Sequence, residues 1–503
     1  MLFEGTCLTF SEFHSWVGVI AADLLAHGVQ PGDRFVIQVP NSLEALVLQI
    51  AAFRIGVVNV PIVPIYREHE LAHILADARP SAIAVAAELG SRRPPEEVDG
   101  VLAQQDHVVR VKYALGTDRP AGWMKIPERP SPGTPIPDHL PDPVEASAPA
   151  LYLYTLGTTS LPKGAILSSR ACIAHVRNFT RRFWVTVEDA LLAGTPLSHL
   201  GGFFNSIMMP LYTGARVVIL PAWRPREAGA PAEAEGVTLT TGAALFLRDL
   251  VELYEAGEFA SKSLRIYSSA GAYTERSLVR RAASFGVTAI RGYGMTEAGA
   301  VAGGDARDPD LMREEYDGRV FDGMTIQSVD EDRRVLPFGV DGELRIQGPQ
   351  VMDGYTDPVA SALHLDDDGW FYTGDIGSVT DDGWVRMSGR IKNIINRGGE
   401  KFSAQDIESA ILQHPDVKEV AVTGVPEPRL GEKVAAFVTL KDGADWTGPD
   451  EILAVLDQQG LAKPKFPVVW HVLPEGLSRN PTGKIKKNVL VELHESQPPA
   501  CTS

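Results

Sequence analysis

Short apolar runs alternate with amphipathic stretches in the N-terminal part of the chain, and this alternation restricts the possible folds most. RFVIQVP, at residues 34–40, has the length of a buried strand and follows a helical pattern over residues 9–30. A second helix is expected from Asn41, its predicted N-cap, to Gly56. Further strands are expected at residues 57–64 and 81–88, on either side of a helix at residues 69–78. Such alternation favours a parallel sheet with helices on its faces.

The pattern of predicted secondary structure changes twice along the chain. Residues 114–149 are rich in proline and predict an irregular connection, and a second strand–helix series covers residues 150–327, with a loop expected near 221–236. From Gly339 onward, short strand-like runs separated by Asp-Gly turns indicate a small antiparallel region, and a compact α+β segment follows. We therefore expect an α/β protein whose large N-terminal domain, residues 1–389, contains two βα-layered subdomains plus a small β region. A small α+β domain, residues 393–503, completes the chain.

Composition narrows the range of partners. Among 503 residues, 47 are basic and 64 acidic, for a formal charge of −17, which disfavours binding to nucleic acid or to anionic membranes. No stretch approaches the ~20 apolar residues of a membrane span, and the N-terminus lacks the pattern of a signal peptide. The three cysteines are far apart, so neither a disulfide framework nor a zinc site is expected. These features together predict a cytoplasmic protein.

The sequence YTLGTTSLPKG, at residues 154–164, is the first candidate for chemistry. It follows an apolar strand and is expected to precede a helix. Small residues let backbone N–H groups face an anion, hydroxyls add donors, and Lys163 adds a positive charge. It is not a Walker A loop, because Pro162 stands where that loop needs glycine. A polar surface turn is the alternative interpretation.

Three further stretches carry similar but individually weak signals. GYGMTE, at residues 292–297, places a hydroxyl beside a carboxylate, which suits phosphate and Mg²⁺. YTGD, at residues 372–375, offers an aspartate that can accept ribose hydroxyls, and an Asp-Gly hairpin is its alternative. SRNPTGK, at residues 478–484, ends in a lysine that is otherwise an ordinary solvated charge. Each stretch alone is compatible with a surface turn.

In this order the four stretches resemble the adenylate-forming superfamily, which contains acyl-CoA synthetases, luciferase and nonribosomal adenylation domains. The resemblance extends from LTFSEF, beginning at residue 8, to KIKK, ending at residue 487. The stretches at residues 67–80 and 394–408 look most like the acyl-CoA synthetase branch. The resemblance implies a mobile C-terminal domain that turns about a hinge at residues 390–392. It also implies ATP, Mg²⁺ and, for this branch, CoA.

The resemblance implies a role for each matching residue. Lys484 would reach the α-phosphate and the acid, Thr296 would contact the α-phosphate, and Glu297 would bind the metal. The phosphates of ATP would be held by Thr155, Gly157, Thr158, Thr159, Ser160 and Lys163. The adenine would lie along Ser269, Ala270, Gly271 and Ala272, with Gly292, Tyr293 and Gly294 beside the nucleotide. The ribose would be bound by Asp375 with support from Arg390, while Lys392 would be the hinge residue and Gly398 and Gly399 would line the thiol path.

The acyl pocket is expected around His199, which would lie near the substrate carboxylate. The other predicted pocket residues are Gly201, Gly202, Phe203, Asn205, Tyr293 and Met295. Amino-acid-activating relatives carry an aspartate after this region, and here only Asn205 is present, which disfavours an α-amino acid. An apolar or aromatic carboxylic acid is therefore expected. A hydrogen-bonded structural histidine is the alternative interpretation of His199.

Two departures from the family pattern leave alternatives open. Leu156 replaces a hydroxyl residue of the phosphate loop, and Ser160 replaces a glycine, whose backbone adopts conformations that other residues avoid. The leading prediction is an acyl-CoA ligase. The alternatives are transfer of the acyl group to a carrier-protein thiol, activation of another oxyanion such as nitrite for attack by an amine, and a nucleotide-binding relative without catalysis.

Overall fold

A computed structural model describes residues 1–134, 140–141, 144–155, 162–259, 261–271, 273–397, 400–429, 431–479, 484–497 and 499–502. The chain forms two compact units. The first contains Met1–Glu314, Gly318–Thr325 and Gln347–Phe371, and the second contains Glu315–Asp317, Ile326–Ile346 and Tyr372–Ser503. The predicted hinge at residues 390–392 falls inside the second unit, and its motion stays a prediction.

The first two helices show how local sequence sets the element boundaries. Phe10–Ala26 begins at a capping box, in which Thr9 and Glu12 each satisfy a backbone N–H of the other. Leu43–Arg54 is capped by Ser42, whose hydroxyl accepts a hydrogen bond from the Ala45 amide. The prediction that Asn41 caps this helix is wrong, because its side chain is bonded to a distant loop instead.

An eight-stranded sheet forms one layer of the first unit. Its strands, in spatial order, are Gly354–Tyr355, Lys163–Ser168, Pro149–Thr155, Val58–Pro61, Arg34–Gln38, Ala82–Ala86, Val111–Leu115 and Met124–Lys125. The pairings from Pro149–Thr155 to Met124–Lys125 are parallel, as the alternation predicts. Lys163–Ser168 instead pairs antiparallel with its neighbours on both sides. The phosphate-loop stretch is therefore followed by a strand and not directly by a helix, which corrects the sequence prediction.

A nine-stranded sheet forms the second layer. Its strands, in spatial order, are Arg319–Val320, Gly299–Gly303, Thr288–Met295, Ile266–Ser269, Leu239–Gly242, Ala190–Ala193, Arg216–Ile219, Leu2–Phe3 and Thr6–Cys7. The pairings from Thr288–Met295 to Leu2–Phe3 are parallel. The antiparallel strand Gly299–Gly303 returns beside Thr288–Met295, so the GYGMTE stretch ends in a tight reversal.

Helices cover the sheets of the first unit. They are Phe10–Ala26, Leu43–Arg54, Glu68–Ala78, Pro94–Leu102, Ser169–Phe183, Leu200–Gly202, Met209–Thr213, Pro225–Ala234, Ala244–Glu255, Arg276–Ala283, Asp310–Glu315 and Pro358–His364, with a π-helix at Phe203–Met208. The loop expected near residues 221–236 is wrong. Pro225 suits a first helical turn, and Ala228 and Ala232, one turn apart, are buried in the core. None of the described helices is long and apolar enough to cross a membrane.

The second unit contains two smaller sheets. A four-stranded sheet has the order Thr325–Val329, Gly342–Gln347, Phe371–Val379, Val385–Arg390. A six-stranded sheet has the order Glu400–Ser403, Ile394–Arg397, Gly431–Leu440, Val469–Val472, Cys501–Thr502, with Val417–Glu427 also paired to Gly431–Leu440. Its helices are Ala404–Ile411, Asp450–Gln458 and Lys487–Ser496, with short 3-10 turns at Ile391–Asn393 and Lys463–Lys465.

Candidate active site

Four parallel strands of the nine-stranded sheet bring several predicted segments to one edge. Gly242 and Ser269 end their strands and are aligned with each other, and Arg291 is aligned with Ser269 in the neighbouring strand Thr288–Met295. The strands Ala190–Ala193 and Ile266–Ser269 lead to His199 and Gly271, and the strand Thr288–Met295 itself contains most of the GYGMTE stretch. The carboxyl edge of a parallel sheet is the usual ligand site in open α/β folds. The topology thus brings together residues that are far apart in the sequence.

The predicted acyl pocket has a polar end near Gly201. The Gly201 amide donates to Nδ1 of His199 at 3.4 Å, and Asn205 Nδ2 donates to Thr241 Oγ1 at 3.2 Å. A methyl group added at Gly201 would lie 3.8–4.0 Å from Thr195, His199 and Asn205, so these side chains converge there. The same addition at Gly202 would lie 2.0 Å from the Pro196 carbonyl oxygen. The space beside Gly202 is therefore filled by backbone, and only Gly201 offers room.

Phe203, a predicted pocket residue, is packed among aromatic rings. Phe203 is fully buried and stacks on Phe53 at 5.5 Å between ring centroids, and it contacts Phe204 edge-on at 5.1 Å. Phe204 in turn stacks on His175 at 4.1 Å. Burial lowers the pKa of His175 to about 3, so this ring is neutral at ordinary pH. This aromatic cluster is therefore apolar and uncharged, despite the histidine.

The segments expected beside the nucleotide are closely packed. Ser269 is 1% exposed and shares a hydrogen bond of 2.7 Å with Thr274. Gly271 has φ +83°, a conformation that favours glycine. Tyr293 is buried and Met295 is half-buried. A methyl group at Gly294 would lie 2.3 Å from the Gly299 carbonyl oxygen, so only glycine permits this reversal.

Tyr355 connects Lys163 with Glu297, and the sequence did not identify it. Its hydroxyl donates a 2.8 Å hydrogen bond to Glu297 Oε1, and Lys163 Nζ lies 5.6 Å from its ring centroid, within cation–π range. Burial, together with the nearby Glu297 charge, raises the pKa of Tyr355 well above its usual range, so the hydroxyl keeps its proton. Lys163 belongs to the eight-stranded sheet and Glu297 follows a strand of the nine-stranded sheet, so no spacing in the sequence indicates that they share this tyrosine.

The backbone of Glu297 is held separately. The Met352 amide donates to the Glu297 carbonyl oxygen at 2.7 Å. Gln350, which is 1% exposed, donates to the carbonyl oxygens of Ala298 at 3.2 Å and Ala300 at 2.6 Å. Gln350 was also missed by sequence reasoning, since a buried glutamine has no distinctive pattern around it.

Glu297 has the chemistry of a Mg²⁺ ligand. It is half-buried, and one carboxylate oxygen is held by Tyr355. Within the described ranges, no side chain donates to the other oxygen. A hard carboxylate oxygen in a fixed orientation suits Mg²⁺, which commonly takes one or two protein carboxylates and completes its coordination with water and phosphate. The residues present therefore fit the metal that the sequence implied.

In the second unit, Asp375 pairs with Arg390. Nε of Arg390 lies 2.7 Å from Asp375 Oδ1, and Asp375 is 3% exposed. The two residues are register partners in neighbouring antiparallel strands. Asp375 lies inside the strand Phe371–Val379. The ion pair brings together the two residues that the sequence assigns to the ribose, and that role stays a prediction.

The segment that carries Lys484 is fixed at both ends. Arg479 and Ile485 form an isolated antiparallel bridge, and the Lys486 amide donates to the Ser478 carbonyl oxygen at 2.9 Å. Lys487 Nζ lies 2.6 Å from Glu408 Oε1. Lys484 itself is half-buried. The predicted hinge residue Lys392 lies in the short turn Ile391–Asn393.

Comparison with known proteins decides the family. The model of the AMP-binding enzyme family matches residues 1–356, and that of the AMP-binding enzyme C-terminal domain matches residues 406–484. The chain belongs to the AMP-binding enzyme family. The predicted membership of the adenylate-forming superfamily is thereby confirmed, and this AMP-binding enzyme is an AMP-forming ligase.

Individual relatives are similar over nearly the whole chain. The AMP-binding enzyme is 31% identical to the medium-chain fatty-acid–CoA ligase of Escherichia coli over 97% of its own length and 86% of the relative's. Its structure resembles ATP-bound MatB from Rhodopseudomonas palustris, with a TM-score of 0.85, 28% identity and coverage of 98% and 95%. It also resembles the amide bond synthetase McbA from Marinactinospora thermotolerans, with a TM-score of 0.86, 26% identity and coverage of 98% and 96%. These likenesses confirm the predicted α/β fold with a large N-terminal and a small C-terminal domain.

Several predicted site residues of this AMP-binding enzyme lie outside the described residues. They are Gly157, Thr158, Thr159, Ser160, Ala272, Gly398 and Gly399, and the substituted loop residue Leu156 also lies outside the described residues. Only the backbone of Lys392 is described. Thr155 and Lys163 frame the phosphate-loop stretch as register partners of a hairpin, and Thr155 Oγ1 lies 3.5 Å from the Lys163 carbonyl oxygen.

Proposed function

We propose that this AMP-binding enzyme is a carboxylate–CoA ligase for an acid with an apolar or aromatic acyl group. The observation that carries the proposal is the connection of Lys163 to Glu297 through Tyr355. A cation and a carboxylate that would bind the metal thus contact the same tyrosine, which supports binding of a metal–triphosphate. The named activity of the Escherichia coli relative supports an apolar acid, and the aromatic cluster around the predicted pocket residue Phe203 agrees with it.

The reaction has two steps. A carboxylate oxygen of the acid attacks the α-phosphorus of ATP, and the bond to the pyrophosphate oxygen breaks as the new bond forms. The sulfur of CoA then attacks the acyl carbonyl carbon, loses its proton to solvent, and displaces AMP. No side chain needs to bond to the acyl group, because the adenylate itself is the activated species.

The chain's own groups lower the first barrier by placing positive charge where negative charge develops. Lys163 would contact the leaving phosphates, and Lys484 would contact the α-phosphate and the acid. Glu297 would hold Mg²⁺, which neutralises phosphate charge when bound. Asp375, oriented by Arg390, would accept the ribose hydroxyls. His199, whose Nδ1 accepts a hydrogen bond from the Gly201 amide, would orient the acid carboxylate.

An amine is the second candidate for the acceptor. The likeness to an amide bond synthetase supports it, because such an enzyme forms an amide. In that case the amine nitrogen attacks the acyl carbonyl carbon, AMP leaves and a proton is released. A carrier-protein thiol and the pair of nitrite and an amine remain alternatives with less support.

Pyrophosphate release tests the proposal directly. Purified enzyme with ATP and Mg²⁺ is supplied with aliphatic and aromatic acids, each with CoA, an aromatic amine or neither, and nitrite plus amine is included. We expect acid-dependent release and an acyl-CoA mass. An amide mass without acyl-CoA would select the second candidate, and release unchanged in Glu297→Gln would mean a contaminating activity.

A further inference from the structure

The segment from Gln350 to Tyr355 contacts both the strand that carries Lys163 and the turn that carries Glu297. We propose that Tyr355 is a positioning residue: its hydroxyl orients the Glu297 carboxylate for the metal of the bound nucleotide, and its ring holds the Lys163 ammonium beside that metal. This inference rests on the proposed function, since it concerns nucleotide binding at the same site.

The backbone of Tyr355 is tied to the strand of Lys163. Gly354 pairs with Ile166 and Tyr355 pairs with Ala165, two residues after the lysine. The Thr356 amide donates to the Gly164 carbonyl oxygen at 2.8 Å. Tyr355 is only 7% exposed, so its ring has little freedom to turn away. The distance between the ring and Lys163 is therefore set by sheet pairing.

Among the described residues, Tyr355 alone is hydrogen-bonded to the Glu297 carboxylate, whereas the Glu297 backbone has other anchors. Met352 bonds its carbonyl oxygen, and Gln350 bonds the carbonyl oxygens of Ala298 and Ala300. Gln350 is held in turn by Asn178, whose Nδ2 donates to it at 2.7 Å. Loss of the Tyr355 hydroxyl should consequently free the carboxylate and leave the turn in place.

Orientation of the carboxylate matters because its side chain has three rotatable torsions. With one oxygen held at 2.8 Å, the other is presented in a fixed direction. Residues that orient a metal ligand in this way commonly affect metal affinity by about 10–100-fold when mutated. The cation–π contact of Lys163 contributes separately, because it depends on the ring and not on the hydroxyl.

The experiment separates these two contributions. Binding of α,β-methylene-ATP, which cannot release pyrophosphate, is measured by calorimetry in MgCl₂ and in EDTA. The ratio of the two dissociation constants is the metal enhancement. The variants are Tyr355→Phe, which removes the hydroxyl, and Tyr355→Leu, which also removes the ring. Tyr113→Phe is the matched control, because Tyr113 is a buried tyrosine that donates to the Asp23 carboxylate far from the site.

We expect Tyr355→Phe to lower the metal enhancement about tenfold while the dissociation constant in EDTA stays within about twofold. Tyr355→Leu should in addition weaken binding in EDTA by about 2–30-fold. Tyr113→Phe should change neither quantity. An unchanged enhancement in Tyr355→Phe, or an equal loss in Tyr113→Phe, would overturn the proposal.

The proposed function has its own criterion in the same data. If the wild-type enzyme shows no metal-enhanced nucleotide binding, the proposed function fails. If the wild type shows it and Tyr355→Phe retains it, only the role of Tyr355 fails. Melting temperatures of the variants, measured without ligand, establish that each one is folded.

Discussion

Asn41 Nδ2 donates hydrogen bonds to the carbonyl oxygens of Thr195 at 3.2 Å and Leu220 at 3.0 Å, although these residues are far apart in the sequence. Its Oδ1 accepts from the Leu197 amide at 2.8 Å. The loop that leads to His199 is therefore held by Asn41, which lies between the strand Arg34–Gln38 of the eight-stranded sheet and the helix Leu43–Arg54. Asn41 is 7% exposed, so these bonds have little competition from water.

Asn41→Ala should destabilise the protein and weaken binding of the acid. Leaving buried backbone groups without partners costs about 1–3 kcal/mol in the free energy of unfolding. The loosened loop should raise the KM for the acid severalfold, measured by pyrophosphate release, with a smaller effect on the KM for ATP. Ser42→Ala is the control: loss of the helix cap should cost about 1 kcal/mol with no change in KM. Equal KM values in both variants would contradict the role of Asn41.

Gly299→Ala should be strongly destabilising. A methyl group there would lie 1.8 Å from Nδ1 of buried His175, and Gly299 has φ +66°. The clash and the backbone conformation together should cost about 2–4 kcal/mol in urea unfolding. Gly286→Ala is the matched control, with φ +80° and no atom within 4 Å, and should cost only about 1–2 kcal/mol. His175→Ala in the Gly299→Ala background should recover part of the loss, and strict additivity would contradict the clash.

Stability should fall in mild acid because of His175. Burial lowers its pKa from 6.5 to about 3, so the native ring stays neutral while the unfolded chain binds a proton. The stability that depends on the neutral ring is fully present above pH 6.5. As the pH falls from 6.5 toward 3, the free energy of unfolding decreases by about 1.4 kcal/mol per pH unit. Urea unfolding from pH 7.5 to 5 should therefore show a steeper decline for the wild type than for His175→Phe. Parallel curves would contradict a neutral buried histidine.

Lys484→Ala should separate the two half-reactions. Loss of a charge at the α-phosphate should slow acyl-adenylate formation about 10²–10³-fold, because charge develops there in the first step. Thiolation of a chemically supplied acyl-adenylate should be largely retained. Both rates can be followed by mass spectrometry of acyl-CoA. An equal loss in both would remove Lys484 from its proposed role.

Lys392→Pro should have the opposite effect. The residue lies in the turn Ile391–Asn393 at the predicted hinge, and proline restricts its backbone φ. We expect adenylate formation close to that of the wild type and a marked loss of thiolation. Lys392→Ala is the control, because it removes the charge and leaves the backbone φ unrestricted. Impaired thiolation in both variants would assign the effect to charge and not to the hinge.

The limits of sequence reasoning are clearest at particular elements. The helix at Phe10–Ala26 was predictable because its capping box is local, and the parallel strands were predictable from short apolar runs. The sequence predicts a loop where the helix Pro225–Ala234 forms, because its alanine, proline and glutamate residues show no strong periodicity. Its helical state is selected by burial of Ala228 and Ala232 against the core.

The sequence by itself determined the family and the order of the strand–helix elements, and it predicts the residues with nucleotide chemistry, because these depend on local composition and on motif order. Tertiary structure alone decided which side chains orient them. Tyr355 meets Glu297 across 58 residues, and Asn41 meets Leu197 across 156. Such contacts arise where separate sheets approach, and their energy depends on distance and burial. The spacing of residues along the chain predicts neither the distance between two side chains nor their burial.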